Sequence, residues 1–467
     1  MKETLEHEVK LAPPAGFVLP DLGGEVRPTR VFVSTYHDTD DLALARHGIT
    51  LRHRLERGTG VWQLKLPRGA ARIQLEQPGP PARPPLELSS LLFAHLRGRN
   101  LVPVAKLRTR REAVVSDGAE IVDDSVSVMS GQRVTRRFRE IEVELVDGDE
   151  RSLRRLAKEL RRAGASPSHE LRPKLYRALD LAVPAPTAIP PRGTPPGAAL
   201  GLALEEQVRR LLGHDPGVRL GSDPEDLHQL RVATRRLRAF LRAGRDLLDL
   251  SWSEPLRDEL RWLGRALGPA RDLDVLIERL TVDLAALGDG AKSLGGLLDE
   301  LDAERAQARV VVVGALSSDR YLELLARLEH VSEPELSGED MALGDIWRAE
   351  WGRTRKAMAR LGDDSSDTEL HAGRIRVKRA RYAAELGAHD LGKRGSRFVE
   401  AAKLLQDVLG EHQDATVAEA RIRSWAADGV GGAATRLVER ERERKAAARA
   451  AWPSAWKALR KAAKPIA

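Results

Sequence analysis

Ala182-Val-Pro-Ala-Pro-Thr-Ala-Ile-Pro-Pro-Arg-Gly-Thr-Pro-Pro-Gly-Ala198 carries six prolines and neither a helical nor a strand period. Such a run reads as a stiff, extended linker, and composition changes across it. Upstream stand short alternating segments, LEHEVKL, VFVSTYHD, ITLRHRL, VWQLKL, AEIVDD and REIEVEL, separated by Gly, Pro and Asp. That is a strand signature. Downstream come long segments rich in Ala, Leu, Arg and Glu with apolar residues at i, i+3, i+4 and i+7, which is helical. The expected architecture is α+β: an antiparallel β domain over 1–181 with a helix near Ser152–Ala163, a linker over 182–197, and an all-helical domain over 198–467.

A chain of 467 residues exceeds one ordinary core. Apolar residues make up 42% but aromatics only 4%, so the cores must be built mainly of Leu, Ala and Val. Lys and Arg number 77 against 69 Asp and Glu, a net +8 with pI near 9.7. That excess points to an anionic partner: phosphate polymer, nucleic acid or an acidic membrane surface. The absence of cysteine excludes disulfides and thiolate metal sites and fits a reducing compartment. MKETLEHEVKL is too charged for a signal peptide, and the most apolar run, Val310 to Leu316, is far short of the ~20 residues a spanning helix needs. The expectation is a soluble, cytoplasmic chain with no membrane partner.

Within the helical half, His228-Gln-Leu-Arg231-Val-Ala-Thr-Arg235-Arg236-Leu-Arg238 is repeated as His371-Ala-Gly-Arg374-Ile-Arg-Val-Lys378-Arg379-Ala-Arg381. Leu267-Gly268-Pro-Ala-Arg271-Asp272-Leu-Asp274-Val275 then lines up with Leu409-Gly410-Glu-His412-Gln413-Asp414-Ala-Thr-Val417. Two motifs recurring in one order imply two related half-bundles, facing one another.

In the strands, period-two alternation puts Glu6, Glu8 and Lys10 on one face and Leu5, His7, Val9 and Leu11 on the other. Glu140, Glu142 and Glu144 repeat the pattern, with Ile141, Val143 and Leu145 opposite. Arg52 alternates with Arg54 and Arg108 with Arg110, while Lys65 stands in WQLKL. One such strand is most simply a solvated face; five sharing the pattern suggest the polar lining of a barrel, which something must satisfy. Mg2+ or Mn2+ on carboxylate oxygens, with guanidinium forks on phosphate, fits that lining.

Glu6-x-Glu8-x-Lys10, Tyr36-His-Asp38-Thr39-Asp40, Leu51-Arg52-His-Arg54, Lys65, Asp123 and Glu140-Ile-Glu142-Val-Glu144 together resemble the CYTH family of triphosphate tunnel metalloenzymes over roughly residues 1 to 180. The resemblance implies an eight-stranded antiparallel tunnel and hydrolysis of a triphosphate with a divalent metal. It makes Glu6, Glu8, Glu142 and Glu144 metal-side acids, with Asp123 a further one. Lys10, Arg52, Arg54, Lys65, Arg108, Arg110 and Lys174 would hold phosphates, the first three as catalytic cations during in-line attack by water. Arg72-Ile-Gln74-Leu-Glu76 aligns in more than one register and is given no role, nor are His7, His37 and His53.

On a helix His228, Arg231, Arg235 and Arg238 form one stripe, as do His371, Arg374, Lys378 and Arg381. Solvated stripes normally intersperse acids, yet none lies between His228 and Arg245. Repulsion tolerated twice points to an absent polyanion. Asp272, Asp274 and Asp414 follow Leu-Gly turns and are expected to buttress arginines or cap helices. HQLRVATRRLR, GPARDLDV, the second copy ending at Tyr382, and LLQDVLGEHQDA resemble a CHAD (conserved histidine α-helical) domain from about residue 198 onward. The resemblance implies binding of inorganic polyphosphate by His228, Arg231, Arg235, Arg236, Arg238, His371, Arg374, Lys378, Arg379 and Arg381. It makes Gln413, where the first copy has Arg271, a weaker point. The charged tail from Arg436 to Lys464, with Trp452 and Trp456, is expected to cover the bundle.

The expected function is metal-dependent hydrolysis of tripolyphosphate or a related triphosphate, joined to polyphosphate binding, with polyphosphate granules as a further expected location. The alternatives are a non-catalytic protein that organises polyphosphate bodies, and a thiamine triphosphatase or adenylate cyclase-type enzyme. A specific nucleic-acid partner is disfavoured, because aromatic platforms are scarce and no groove-reading motif is present. Protein partners are not legible.

Overall fold

The computed structural model describes residues 1–69, 71–167, 172–183, 190–191, 193–287, 294–338, 341–426, 432–464 and 466. The chain divides into two compact units, Met1–Pro186 and Thr187–Ala467. Residues 184–189 and 192 of the expected linker lie outside the described residues.

The first unit is one antiparallel sheet of strands β1 (Lys2–Glu6), β2 (Glu8–Ala12), β3 (Glu25–Asp38), β4 (Thr50–Glu56), β5 (Thr59–Arg68), β6 (Ala71–Pro78), β7 (Val102–Ser116), β8 (Ala119–Ser130), β9 (Arg133–Leu145) and β10 (Ser166–Pro167). Their order is β1-β6-β5-β4-β3-β7-β8-β9-β2-β10. Ten strands replace the eight expected. The first strand splits at His7, because the chain pairs with β6 before it and with β9 after it. The tenth strand is a two-residue pairing on the free side of β2. Short helices α1 (Leu86–Ser90) and α2 (Phe93–Leu96) follow β6.

Helix α3 (Glu150–Arg162) starts at Asp149, whose carboxylate accepts from the Arg151 and Ser152 N–H groups. Leu153, Leu156 and Leu160 form its apolar stripe, and they pack on Leu11, Ile121, Ile141 and Val143. That contact covers one face of β2, β8 and β9, so the alternating Glu residues are turned to the other. Helix α4 (Lys174–Leu179) inserts Leu175 and Tyr176 among Tyr36, Leu107, Val126 and Val128.

The second unit is helical: α5 (Pro196–Leu220), α6 (Pro224–Ala243), α7 (Leu250–Leu287), α8 (Gly295–Leu316), α9 (Asp319–Leu328), α10 (Leu343–Met358), α11 (Asp367–Leu386), α12 (Ala388–Ala426) and α13 (Gly432–Ala463). Its interior is largely Leu and Ala, as the composition requires. Trp452 and Trp456 of α13 are buried. Helix α6 begins with an Asp223 cap and Pro224 at its first position, and α11 with a Ser366/Glu369 capping box. No helix among the described residues is long and apolar enough to cross a membrane.

Candidate functional site

Residues directly opposite in an antiparallel pair share a face, so the strand register assembles the first site. Glu8 faces Glu144 and Lys10 faces Glu142. Glu144, Glu142 and Glu140 face Glu120, Val122 and Asp124 on β8, and Asp124 faces Arg111 on β7. On the other side Glu6 faces Arg72, Lys65 faces Gln74 and Gln63 faces Glu76. The register thus settles the Arg72–Glu76 alignment that the sequence leaves open. The normal polarity is inverted here: Glu6 is 3% exposed and its neighbour Leu5 is 51% exposed.

Acids and cations interlock on this face. Lys10 Nζ lies 2.5 Å from Glu142 and 3.4 Å from Glu8, and Lys65 Nζ lies 2.6 Å from Glu6. Arg111 donates two parallel hydrogen bonds to Asp124, at 2.8 and 2.7 Å. Arg52 donates to Gln63 at 2.7 Å and to the Tyr36 hydroxyl at 3.0 Å. Arg54 lies over the Phe32 ring and donates to Glu56. Buried Lys174 reaches three carboxylates, Asp124 at 2.9 Å, Glu140 at 2.7 Å and Glu142 at 2.9 Å. Burial disfavours the Glu142 charge, but Lys10, Lys174 and Arg111 outweigh it and hold the carboxyl well below its ordinary range. Glu144 behaves in the opposite way. Burial first, then the charges of Glu6 and Glu8, outweigh Lys65 and push it up to about 7.

Three expected site residues stand elsewhere. Asp123, Arg108 and Arg110 fall in register with Ile141, Ser127 and Ser125, on the opposite face of the sheet. Asp123 there accepts two hydrogen bonds from Arg139, at 2.8 and 2.5 Å. A one-residue slip moves a side chain to the other face, so Asp124 and Arg111 occupy the places expected of Asp123 and Arg110. Asp38 of the Tyr36–Asp40 motif is a local cap, accepting from the Thr39, Leu44 and Ala45 N–H groups at 2.7, 2.8 and 2.9 Å.

The second site lies where α6 packs against α11. A groove of about 510 Å³ is lined by His228, Arg231 and Arg235 of α6 and by His371, Arg374 and Lys378 of α11. Helix α7 adds Arg271, Asp272 and Arg279, and α12 adds Gln413 and Asp414. Both members of each motif pair therefore meet at one groove. Leu267-Gly268 and Leu409-Gly410, expected as turns, lie inside α7 and α12. Gly410 makes room for a guanidinium, since a Cβ there would sit 2.9 Å from Arg374 Nη2. Asp272 holds Arg231 at 2.6 Å. Buried nitrogens of Arg235, His371 and Arg374 have no hydrogen-bond partner among the described residues. Burial, then Arg374 and Arg235, bring the Lys378 ammonium down to about 7. Arg236 and Arg381 turn instead to Glu385, at 3.2 and 3.4 Å. Arg238 stands among Arg257, Arg261 and Arg265, and Arg379 beside Arg242 and Arg376.

A family model described as CYTH domain matches residues 4–171, and one described as CHAD domain matches 202–423. An uncharacterised protein of Mycobacterium tuberculosis is 35% identical over 436 residues, spanning 84% of this chain and 82% of its own length. The chain belongs to the CYTH–CHAD family. PptA from Streptomyces chartreusis aligns over 56% of the chain and 100% of its own, at 26% identity and a TM-score of 0.47. The CHAD domain from the plant Ricinus communis aligns over 60% and 94%, at 24% identity and a TM-score of 0.45.

In this CYTH–CHAD protein the CYTH match ends before Lys174, yet that ammonium ties α4 to β8 and β9. Lys174→Met is expected to lower stability by about 3 kcal/mol, because Asp124, Glu140 and Glu142 would stay buried together with one cation fewer, keeping only Arg111, Arg177 and Lys10. Thermal unfolding measures this directly, and an unchanged midpoint would refute the buried-cluster account. Among the described residues no group of three or more His, Asp or Glu is set as a metal cage. Glu6 and Glu8 are near enough to Glu144 for their charges to add to burial in raising its carboxyl, while Lys65 opposes them.

Proposed function

We propose that the CYTH unit hydrolyses tripolyphosphate with Mg2+ or Mn2+, and that the groove of the CHAD unit binds longer inorganic polyphosphate. The observation that carries the hydrolytic half is the register that gathers acids on one buried face, Glu8 opposite Glu144 and Glu144 opposite Glu120, where burial and the charges of Glu6 and Glu8 push the Glu144 carboxyl up to about 7. A site built only to bind polyanions gains nothing by gathering carboxylates, whereas a cation shared with phosphate turns their repulsion into binding.

The first and ninth places in the strand order belong to β1 and β2, which His7 alone separates. This supports a sheet closed into a tunnel, with the acid–cation face inside. Glu6, Glu8 and Glu144 would hold the metal, which supplies charge neutralisation and a Lewis acid for phosphoryl oxygens. Lys10, Arg52, Arg54 and Lys65 grip the phosphate oxygens, exchanging Glu142, Gln63, Glu56 and Glu6 for substrate. Arg111 and Lys174 act one layer back, fixing Asp124, Glu140 and Glu142 so that the gripping cations are positioned before substrate arrives.

The test is phosphate release from tripolyphosphate, long-chain polyphosphate, ATP and thiamine triphosphate with each metal. Tripolyphosphate is expected to be the fastest. No release from any of the four would sink the hydrolytic reading and leave a binding module.

A further inference from the structure

Arg108 and Arg110, turned away from the acid–cation face, stand in a second array. The register sets Arg108 opposite Ser127 and Ser127 opposite Arg137. One step along, Arg110, Ser125 and Arg139 form a parallel row. Two walls of arginine, on β7 and β9, thus flank a floor of serine on β8. Strand spacing puts the walls roughly 10 Å apart. These six residues line a groove of about 520 Å³.

The two rows differ in charge balance. Arg110 pairs with Glu112 and Arg139 with Asp123, acids that face each other in the next row. They close one end of the groove to an anion. Arg108 and Arg137, in the other row, are exposed and have no ion pair among the described residues. An acid directly across from a strand arginine would stabilise the sheet; here serine hydroxyls stand in those places and leave the centre open.

We propose that this arginine–serine groove is a second anion site, and that its occupant is a linear phosphate chain lying along β8. A bare phosphate chain needs only guanidinium forks and hydroxyl donors, which is what the groove offers. Nucleic acid would also need a stacking surface. Phe138, between Arg137 and Arg139, turns its ring to the other face of the sheet, where the Arg177 guanidinium lies 4.0 Å from its centroid, so among the described residues the groove offers no aromatic ring for stacking. The groove therefore gives the CYTH unit a hold on polyphosphate outside its hydrolytic face. This inference rests on the reading of the CHAD groove as a polyphosphate site.

The experiment uses the full chain carrying Arg231→Ala, Arg374→Ala and Lys378→Ala, which silences the helical groove. Long-chain polyphosphate is expected to retain weak, salt-dependent affinity for that variant. Adding Arg108→Thr and Arg137→Thr, exposed changes suited to strands, is expected to lower the residual affinity about tenfold and its salt slope by about 1.4, at roughly 0.7 per lost contact. Residual affinity indifferent to the two threonines would overturn this site while leaving the helical groove standing. No binding by the unmodified chain would sink both. Equal displacement by single-stranded RNA of matched charge would overturn the phosphate chain as the occupant. Unfolding midpoints of the variants, expected to match, separate lost binding from lost fold.

Discussion

Glu6→Gln is expected to lower phosphate release from tripolyphosphate by about a thousand-fold, the upper end of what a single pre-positioned electrostatic group contributes. The substitution keeps shape and hydrogen bonding but removes one charge. Glu6 is buried, accepts the Lys65 ammonium at 2.6 Å and helps push Glu144 up to about 7. Two consequences separate a metal-side role from a merely structural one. The Glu144 carboxyl, relieved of a neighbouring anion, should titrate at lower pH, which carboxylate NMR reads without turnover. Divalent-metal affinity should fall even though the pH range over which Glu144 is ionised widens. Glu8→Gln should behave in the same way with a smaller shift, because its repulsion of Glu144 is weaker. Wild-type turnover in either variant would sink the metal-acid assignment.

The division of the chain was legible because proline cannot sustain either helical or strand hydrogen bonding, and the segments beside the linker keep different periods. Glu6, Glu8, Lys10, Glu142 and Glu144 were legible because single charged residues alternate with apolar ones, leaving one parity open. Asp123-Asp124 and Arg110-Arg111 defeat that logic. In each doublet one residue faces the site and its twin faces away, and charge alone does not choose between them. The choice belongs to the pairing of β7, β8 and β9, which is a tertiary fact. The available signal was apolar parity: Ile121, Ile141 and Val143 share the face of Asp123 beneath α3, so Asp124 had to share that of Glu142. Arg236 and Arg381 present a related difficulty. A basic stripe defines one helix face, and residues at its margin turn to Glu385, a residue within α11 itself.

Replacing Arg231 and Arg374 with Ala should weaken long-chain polyphosphate binding roughly a hundredfold. A hydrogen bond to a charged group is worth about 1.5 kcal/mol at the low end, and 1.4 kcal/mol is about a factor of ten. The pH dependence identifies the contact more sharply. Unliganded Lys378 titrates near 7, because burial and then Arg374 and Arg235 disfavour its charge. Phosphate alongside it would restore the ammonium, so binding takes up a proton at pH values above 7 and below the ordinary lysine range. Affinity should therefore fall as pH rises through that window, by up to about tenfold per unit. Below pH 7 Lys378 is charged whether or not ligand is bound and adds no slope. His228, whose own pKa is lowered by burial and then by Arg271, takes over there, raising affinity as pH falls. Lys378→Arg keeps its charge throughout and should flatten the alkaline decline without abolishing binding. Wild-type affinity that stayed level between pH 7 and 9 would place Lys378 away from the phosphate chain.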